Sequence, residues 1–220
     1  MPASLHSFRL PLAPGLLVLS LALPLAARGE PGTHPDKATS GKGSAAAVAK
    51  AVIGDAIETA LKILRDEQLK KDGAKRVGRL RAAVDGVFDW EAMARSSVGP
   101  HWRALDDAQR ADFVRVFKEL LARRYMNDID RFSGSEQLNV TGSEARGQQV
   151  LVKTVLITAS REHVPIDYTM HKPKGSWVVE DISIEGVSMV NHYRKSFGRY
   201  LVNNDFASLL QRLKRKLGDP

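Results

Sequence analysis

The sequence contains no cysteine. That absence excludes a disulfide framework, a thiolate nucleophile, a zinc–thiolate centre and a cysteine-linked lipid anchor, so the fold must be held by its core alone. Aromatic residues are sparse, at 6% of the chain. The six histidines form no HxxxH or HxxE pair, and His101, His163, His171 and His192 fall in separate predicted elements, so no metal site is expected. A Gly-rich phosphate loop and a GxSxG elbow are also missing. No internal repeat is visible. Beyond the opening segment, no apolar run approaches the roughly 20 residues that a membrane-spanning helix needs.

What is present begins with that opening segment. Arg9 gives it its only charge, residues 16–25 run apolar with a break at Pro24, and Ala26 and Ala27 follow. A positive start, a short greasy middle and a small-residue exit are the marks of a cleavable secretory signal, here residues 1–27. Pro11, Pro14, Gly15 and Pro24 argue against a buried N-terminal helix instead. The exported chain is expected in a soluble compartment, the periplasm where the source has two membranes. Residues 28–44, rich in Pro, Gly, Thr, Ser and Lys, read as a flexible linker. Residues 45–217 then form one domain of about 170 residues, enough for a core and an internal cavity. The formal net charge is +8, which favours anionic partners; export and the lack of any nucleic-acid motif exclude nucleic acid from them.

The first half reads helical. Ala49, Val52, Ile53, Ala56, Ile57, Ala60, Leu61 and Leu64 share one face of a helix starting after a Ser44 cap. A basic segment follows with Val77, Leu80, Val84 and Phe88 as its apolar positions. Asp89 can cap a short helix stopped by Gly99-Pro100, and Asp106 with Gln109 has capping-box spacing at the head of a long helix. At Ser133-Gly134 the period changes to alternation. Strands are predicted over 138–142, 149–158, 164–170 and 177–185, with turns at Gly147 and Pro173-Lys174-Gly175. After Gly186 the chain returns to helix through Val190, Tyr193, Phe197 and Leu201, and a last helix capped by Asp205 carries Leu209, Leu210, Leu213 and Leu217. The predicted fold is α+β: a four-stranded antiparallel sheet wrapped by N- and C-terminal helices, a cone that can enclose an apolar pocket.

Residue chemistry alone leaves several functions open. Asp181 is a carboxylate in an otherwise apolar strand, and with Tyr168 it could act as a general acid/base pair in an enzyme of ketosteroid-isomerase-like fold. The last helix, with Arg212, Lys214, Arg215 and Lys216, could instead lie on an anionic membrane as a surface adaptor. Aromatic and methionine positions at helix or strand spacing are core by default.

The ordered string of motifs is more specific. It runs Phe88-Asp89-Trp90-Glu91, Met93-Ala94-Arg95, Gly99-Pro100-His101-Trp102-Arg103, then Gln109-Arg110, Phe113, Phe117, Leu120-Leu121 and Tyr125. It closes with Trp177-Val178-Val179-Glu180-Asp181, Glu185-Gly186-Val187-Ser188-Met189-Val190 and Asn191-His192-Tyr193-Arg194. From residue 47 to 217 this resembles the MlaC family, also called toluene-tolerance or Ttg-type proteins. The resemblance implies a periplasmic phospholipid carrier, an auxiliary component of an ABC transporter system that maintains outer-membrane asymmetry. It further implies an NTF2/cystatin-like cone with lipid tails as cargo, no catalysis and no cofactor. Its implied partners are an inner-membrane ABC transporter complex and an outer-membrane lipoprotein complex, with the chain working as a monomer. Two departures stand out: Ser96 and Ser97 replace a bulky apolar residue before Val98, and the segment with Lys70-Lys71 and Lys75-Arg76 is unusually basic.

A lipid-binding set follows from this cone. Phe117, Leu121 and Tyr125 on the long helix are expected to contact tails. Val155, Ile157, Ile166, Tyr168 and Met170 on the sheet would line the other side, and Val187, Val190, Tyr193 and Phe197 would close the cone. Arg194 is the candidate for headgroup phosphate contact.

Overall fold

The structure, a computed structural model, describes residues 38–130, 132 and 134–218. The expected signal peptide and residues 28–37 of the expected linker lie outside the described residues. Helix α1 spans Ala38–Arg65, so residues 38–44 of that linker are helical and Ser44 lies within the helix instead of capping it. Ser40, Gly41 and Gly43 have low helix propensity, which is why the pattern becomes legible only at the alanine run that follows. One face of α1 buries Ala49, Ile53, Ile57 and Leu64.

Local capping sets most of the remaining helix starts. Asp66 heads α2, Glu67–Lys70, and Asp72 heads α3, Gly73–Asp85. Asp89 accepts the Ala92 N–H at 2.8 Å to open α4, Trp90–Val98. A 3-10 turn over Gly99–Ala104 carries the chain into α5, Asp107–Asp130. The capping box at its head is reciprocal: Gln109 N–H donates to Asp106 Oδ1 at 2.8 Å, and Asp106 N–H donates to Gln109 Oε1 at 3.0 Å. Ser188 caps α6, Met189–Leu201, and Asp205 caps α7, Phe206–Leu217, which ends on left-handed Gly218.

Between α5 and α6 lies an antiparallel meander of β1, Gln137–Arg146; β2, Gln149–Ile157; β3, His163–His171; β4, Val178–Ile184; and β5, Val187–Ser188. The four expected strands are present, and β5 is a two-residue addition that pairs with β4 as the chain enters α6. Arg146 and Gln149 face each other across the Gly147-Gln148 turn, where Gly147 takes φ 64°. Only a residue tolerant of positive φ closes so tight a hairpin without strain.

Register assigns the sheet faces. Val150 pairs with Met170, Val152 with Tyr168 and Thr154 with Ile166, so these share one face. Val155 pairs with Pro165 and Ile157 with His163, which places them on the other. Helix α1 packs on the first face, where Ala49, Ile53 and Ile57 bury Val150, Val152, Met170 and Val179. A second cluster joins α4, α5, α6 and α7 through Met93, Val98, Phe113, Phe117, Val190, Phe197, Leu209 and Leu213, among others. Phe88 and Ile182 pack against both clusters. A small third group, Leu64 and Leu80 with Val77, Val84 and Phe132, seats α3 against α1.

Candidate functional site

The helical half of the expected lipid-binding set is brought together. Phe117, Leu121, Val190 and Phe197 are buried in the helical cluster, with Tyr125 and Tyr193 packed against it. The Tyr193 ring meets Phe117 edge-on with centroids 5.4 Å apart, and lies 5.4 Å from Phe197. Phe113 stacks on Phe117 at 5.8 Å. Burial raises the Tyr193 hydroxyl well above its ordinary range; a Tyr125 phenolate would push it further, and Arg124 opposes both. A neutral phenol in this position gives the cluster a polar tip on an apolar body.

The sheet half divides. Ile166, Tyr168 and Met170 lie on the face covered by α1, and Tyr168 and Met170 join the sheet cluster. Burial pushes the Tyr168 hydroxyl up to about 12, opposed by a hydrogen bond with the Thr154 side chain. Val155 and Ile157 stand on the opposite face and do not meet the other three. Val187 is 48% exposed in β5, because the strand that was expected to run into a helix first forms a sheet edge. Phe88, which the sequence pattern gave only as an apolar position, and Ile182, which it did not single out, pack against both halves.

Asp181 has a different task from general base. Its Oδ1 accepts the Val190 N–H at 3.0 Å, and its Oδ2 accepts a hydrogen bond from the Ser188 hydroxyl. Ser188 Oγ in turn accepts the Asn191 N–H at 3.1 Å. Both carboxylate oxygens thus serve the N-terminus of α6, where a negative charge also suits the helix dipole. Register separates Asp181 from Tyr168 as well, pairing Asp181 with Thr169 and Tyr168 with Ile182 on alternate faces. The acid/base pair that the enzyme reading requires is not assembled. In α7, likewise, Lys214 is held by Asp112 at 2.6 Å, and Leu209, Leu213 and Leu217 are buried, so its apolar face is already covered by protein.

Arg194 lines a pocket of about 360 Å³ with Arg95, Ser96, Gly99, Pro100, Trp102 and Arg103. Gly99 ends α4 at φ 57° and ψ −128°, and its N–H donates to the Arg95 carbonyl. A Cβ at this position would lie 3.1 Å from Arg194 Nε and 3.3 Å from Nη2. The missing side chain therefore lets the guanidinium rest against the backbone. Sequence reasoning singled out Arg194 alone; Arg95 and Arg103 sit in the quoted Met93-Ala94-Arg95 and Gly99-Pro100-His101-Trp102-Arg103 strings, but which arginines converge depends on α6 packing against α4.

An open antiparallel meander with helices packed on it, and an aromatic cluster among those helices, define the class: an α+β fold. Among the described residues no helix is long and apolar enough to cross a membrane. The family described as MlaC protein matches residues 54–215, and the chain belongs to that family. A solved structure with the same fold is a phospholipid-binding protein from Ralstonia solanacearum, in complex with a phospholipid. It is 22% identical, with a TM-score of 0.68, over 76% of this chain and 95% of that one.

Proposed function

We propose that this protein is a soluble periplasmic phospholipid carrier that shuttles lipid between an inner-membrane ABC-type complex and an outer-membrane lipoprotein complex. The observation that carries the reading is its membership of the MlaC family together with a shared fold in a protein solved with a phospholipid bound. Tails would enter between the two clusters, with Phe117, Leu121, Tyr125, Val190, Tyr193 and Phe197 on one side and Ile166, Tyr168 and Met170 on the other. Val155, Ile157 and Val187, given their placement, would contribute at most to an outer rim.

The physics suits such a carrier. Taking one acyl chain of about 15 methylenes out of water is worth about 12 kcal/mol at ~0.8 kcal/mol per CH₂. A bilayer already keeps tails dry, so transfer between membrane and carrier is close to balanced. Exchange then needs no reacting group, only an apolar interior and a mouth where the headgroup stays wet.

The test is lipid content. The exported, processed protein is purified without detergent, extracted with organic solvent and analysed by mass spectrometry. Phospholipid at or near stoichiometric amounts is expected, and Val190→Trp, which fills the helical side, is expected to cut it severalfold. Folded protein that neither carries lipid nor takes it from vesicles overturns the reading.

A further inference from the structure

We infer that Arg95, Arg103 and Arg194 form a phosphate-binding subsite around Gly99, taking the phosphate of a lipid headgroup or of a soluble phosphate ester. The lipid form of this inference rests on the carrier reading; the phosphate chemistry does not.

Three elements deliver the arginines to one pocket. Arg95 comes from the last turn of α4, Arg103 from the 3-10 turn that follows, and Arg194 from the exposed side of α6. Helices α4 and α6 are fixed against each other by Met93, Ala94, Val98, Val190 and Phe197, all buried in one cluster. Gly99 is required there twice over. Its backbone conformation is one that side-chain-bearing residues avoid, and a Cβ would press on the Arg194 guanidinium. Trp102, 7% exposed, supplies an apolar wall.

Three arginines line this one pocket, and no acidic residue lines it with them. Several guanidinium groups elsewhere meet carboxylates, Arg81 with Glu119, Arg115 with Asp112, Arg110 with Asp107 and Arg146 with Glu144. Among the described residues no carboxylate pairs with Arg95, Arg103 or Arg194. The dipole at the C-terminal end of α4 favours one cation, and so accounts for Arg95. It does not account for three converging cations, whose mutual repulsion an anion relieves. Guanidinium groups grip tetrahedral phosphate oxygens in pairs, which makes phosphate the anion that this fork geometry fits best.

The test uses the purified full mature protein and two probes. Inorganic phosphate and glycerol 3-phosphate are titrated at constant ionic strength and followed by phosphorus NMR. In parallel, vesicle-free short-chain phosphatidylglycerol is compared with a diacylglycerol of the same chains in a binding assay. Saturable phosphate binding is expected, weakened about tenfold or more by Arg194→Gln and also by Arg194→Lys, because an ammonium cannot fork. Arg161→Gln, a basic residue outside this pocket, serves as the control and is expected to change nothing. If the phosphatidyl lipid loses its advantage over diacylglycerol in Arg194→Gln, the phosphate belongs to a headgroup. If only the soluble esters respond, the site takes a free phosphate ester. The inference is overturned if binding does not saturate, or if Arg161→Gln weakens it as much as Arg194→Gln. Protein that binds phosphate but neither carries lipid nor takes it from vesicles would remove the carrier reading and leave this one standing.

Discussion

Asp89 ties a helix to the sheet through His171: its Oδ2 lies 2.9 Å from His171 Nε2, while its Oδ1 caps α4. The other ring nitrogen of His171 lies 3.3 Å from Glu180 Oε2. Backbone bonds reinforce the seam, with Asp89 N–H donating to the Val179 carbonyl at 2.9 Å and Val179 N–H to the Val87 carbonyl at 2.8 Å. Asp89→Ala removes cap and tie together and is expected to cost about 1–2 kcal/mol in urea unfolding. Asp89→Asn keeps an oxygen for the cap and is expected to lose less than half of that. Equal losses in the two variants would assign the stability to the charge on Asp89 and not to the cap.

Asp181 is expected to matter for stability and not for turnover. Asp181→Ala leaves the Val190 N–H and the Ser188 hydroxyl without their acceptor, at a cost of about 1–3 kcal/mol by urea unfolding. The folded fraction should still load lipid as the parent does. Loss of loading in a variant of unchanged stability would return Asp181 to the site.

Alkali should unfold the protein through Tyr168 and Tyr193. Burial raises both phenols, Tyr168 to about 12. A folded value above the unfolded one means that the neutral form is favoured by folding. The associated stability is complete below the unfolded value of about 10 and is lost as pH rises through the folded value. Phenolate absorbance is expected to show two tyrosines that ionise late, together with the loss of near-ultraviolet circular dichroism. Tyr168→Phe removes one of them. If all four tyrosines titrate together in the folded protein, these rings are wet.

Acid should act on the α5–α7 contact. Burial opposes ionisation of Asp112, but hydrogen bonds and charge from Lys214 and Arg115 outweigh it and hold the carboxyl below its ordinary range. With the folded value depressed, this stability is present above the unfolded value of about 3.9 and fades as pH falls through the folded one. The pair is part-exposed, so Lys214→Met is expected to cost only about 0.2–1 kcal/mol at neutral pH. Its difference from the parent should vanish at low pH, as followed by thermal unfolding across a pH series.

Much of the fold is legible in the sequence because its signals are local. Asp89, Asp106 with Gln109, and Asp205 cap the helices that their spacing announces, and the strand breaks fall at Gly147 and Gly175. The candidate site is less legible because it depends on which face meets which helix. Val155 and Ile157 fall in the continuous apolar run Val155-Leu156-Ile157, where alternation assigns no face, and only the β2–β3 register separates them from Ile166 and Tyr168. Val187 follows a glycine turn and precedes a helix cap, so its two-residue pairing with β4 leaves no periodic trace. The convergence of Arg95 and Arg103 with Arg194 arises from contact between residues about a hundred positions apart.

Phe88 and Ile182 pack against both large clusters, and this gives the protein a mechanical property. A chain with one continuous core resists opening everywhere at once. Here each side buries its own aliphatic and aromatic residues, and the two sides share a narrow join. Parting along that join would break the contacts of Phe88 and Ile182 while each cluster kept its own buried residues.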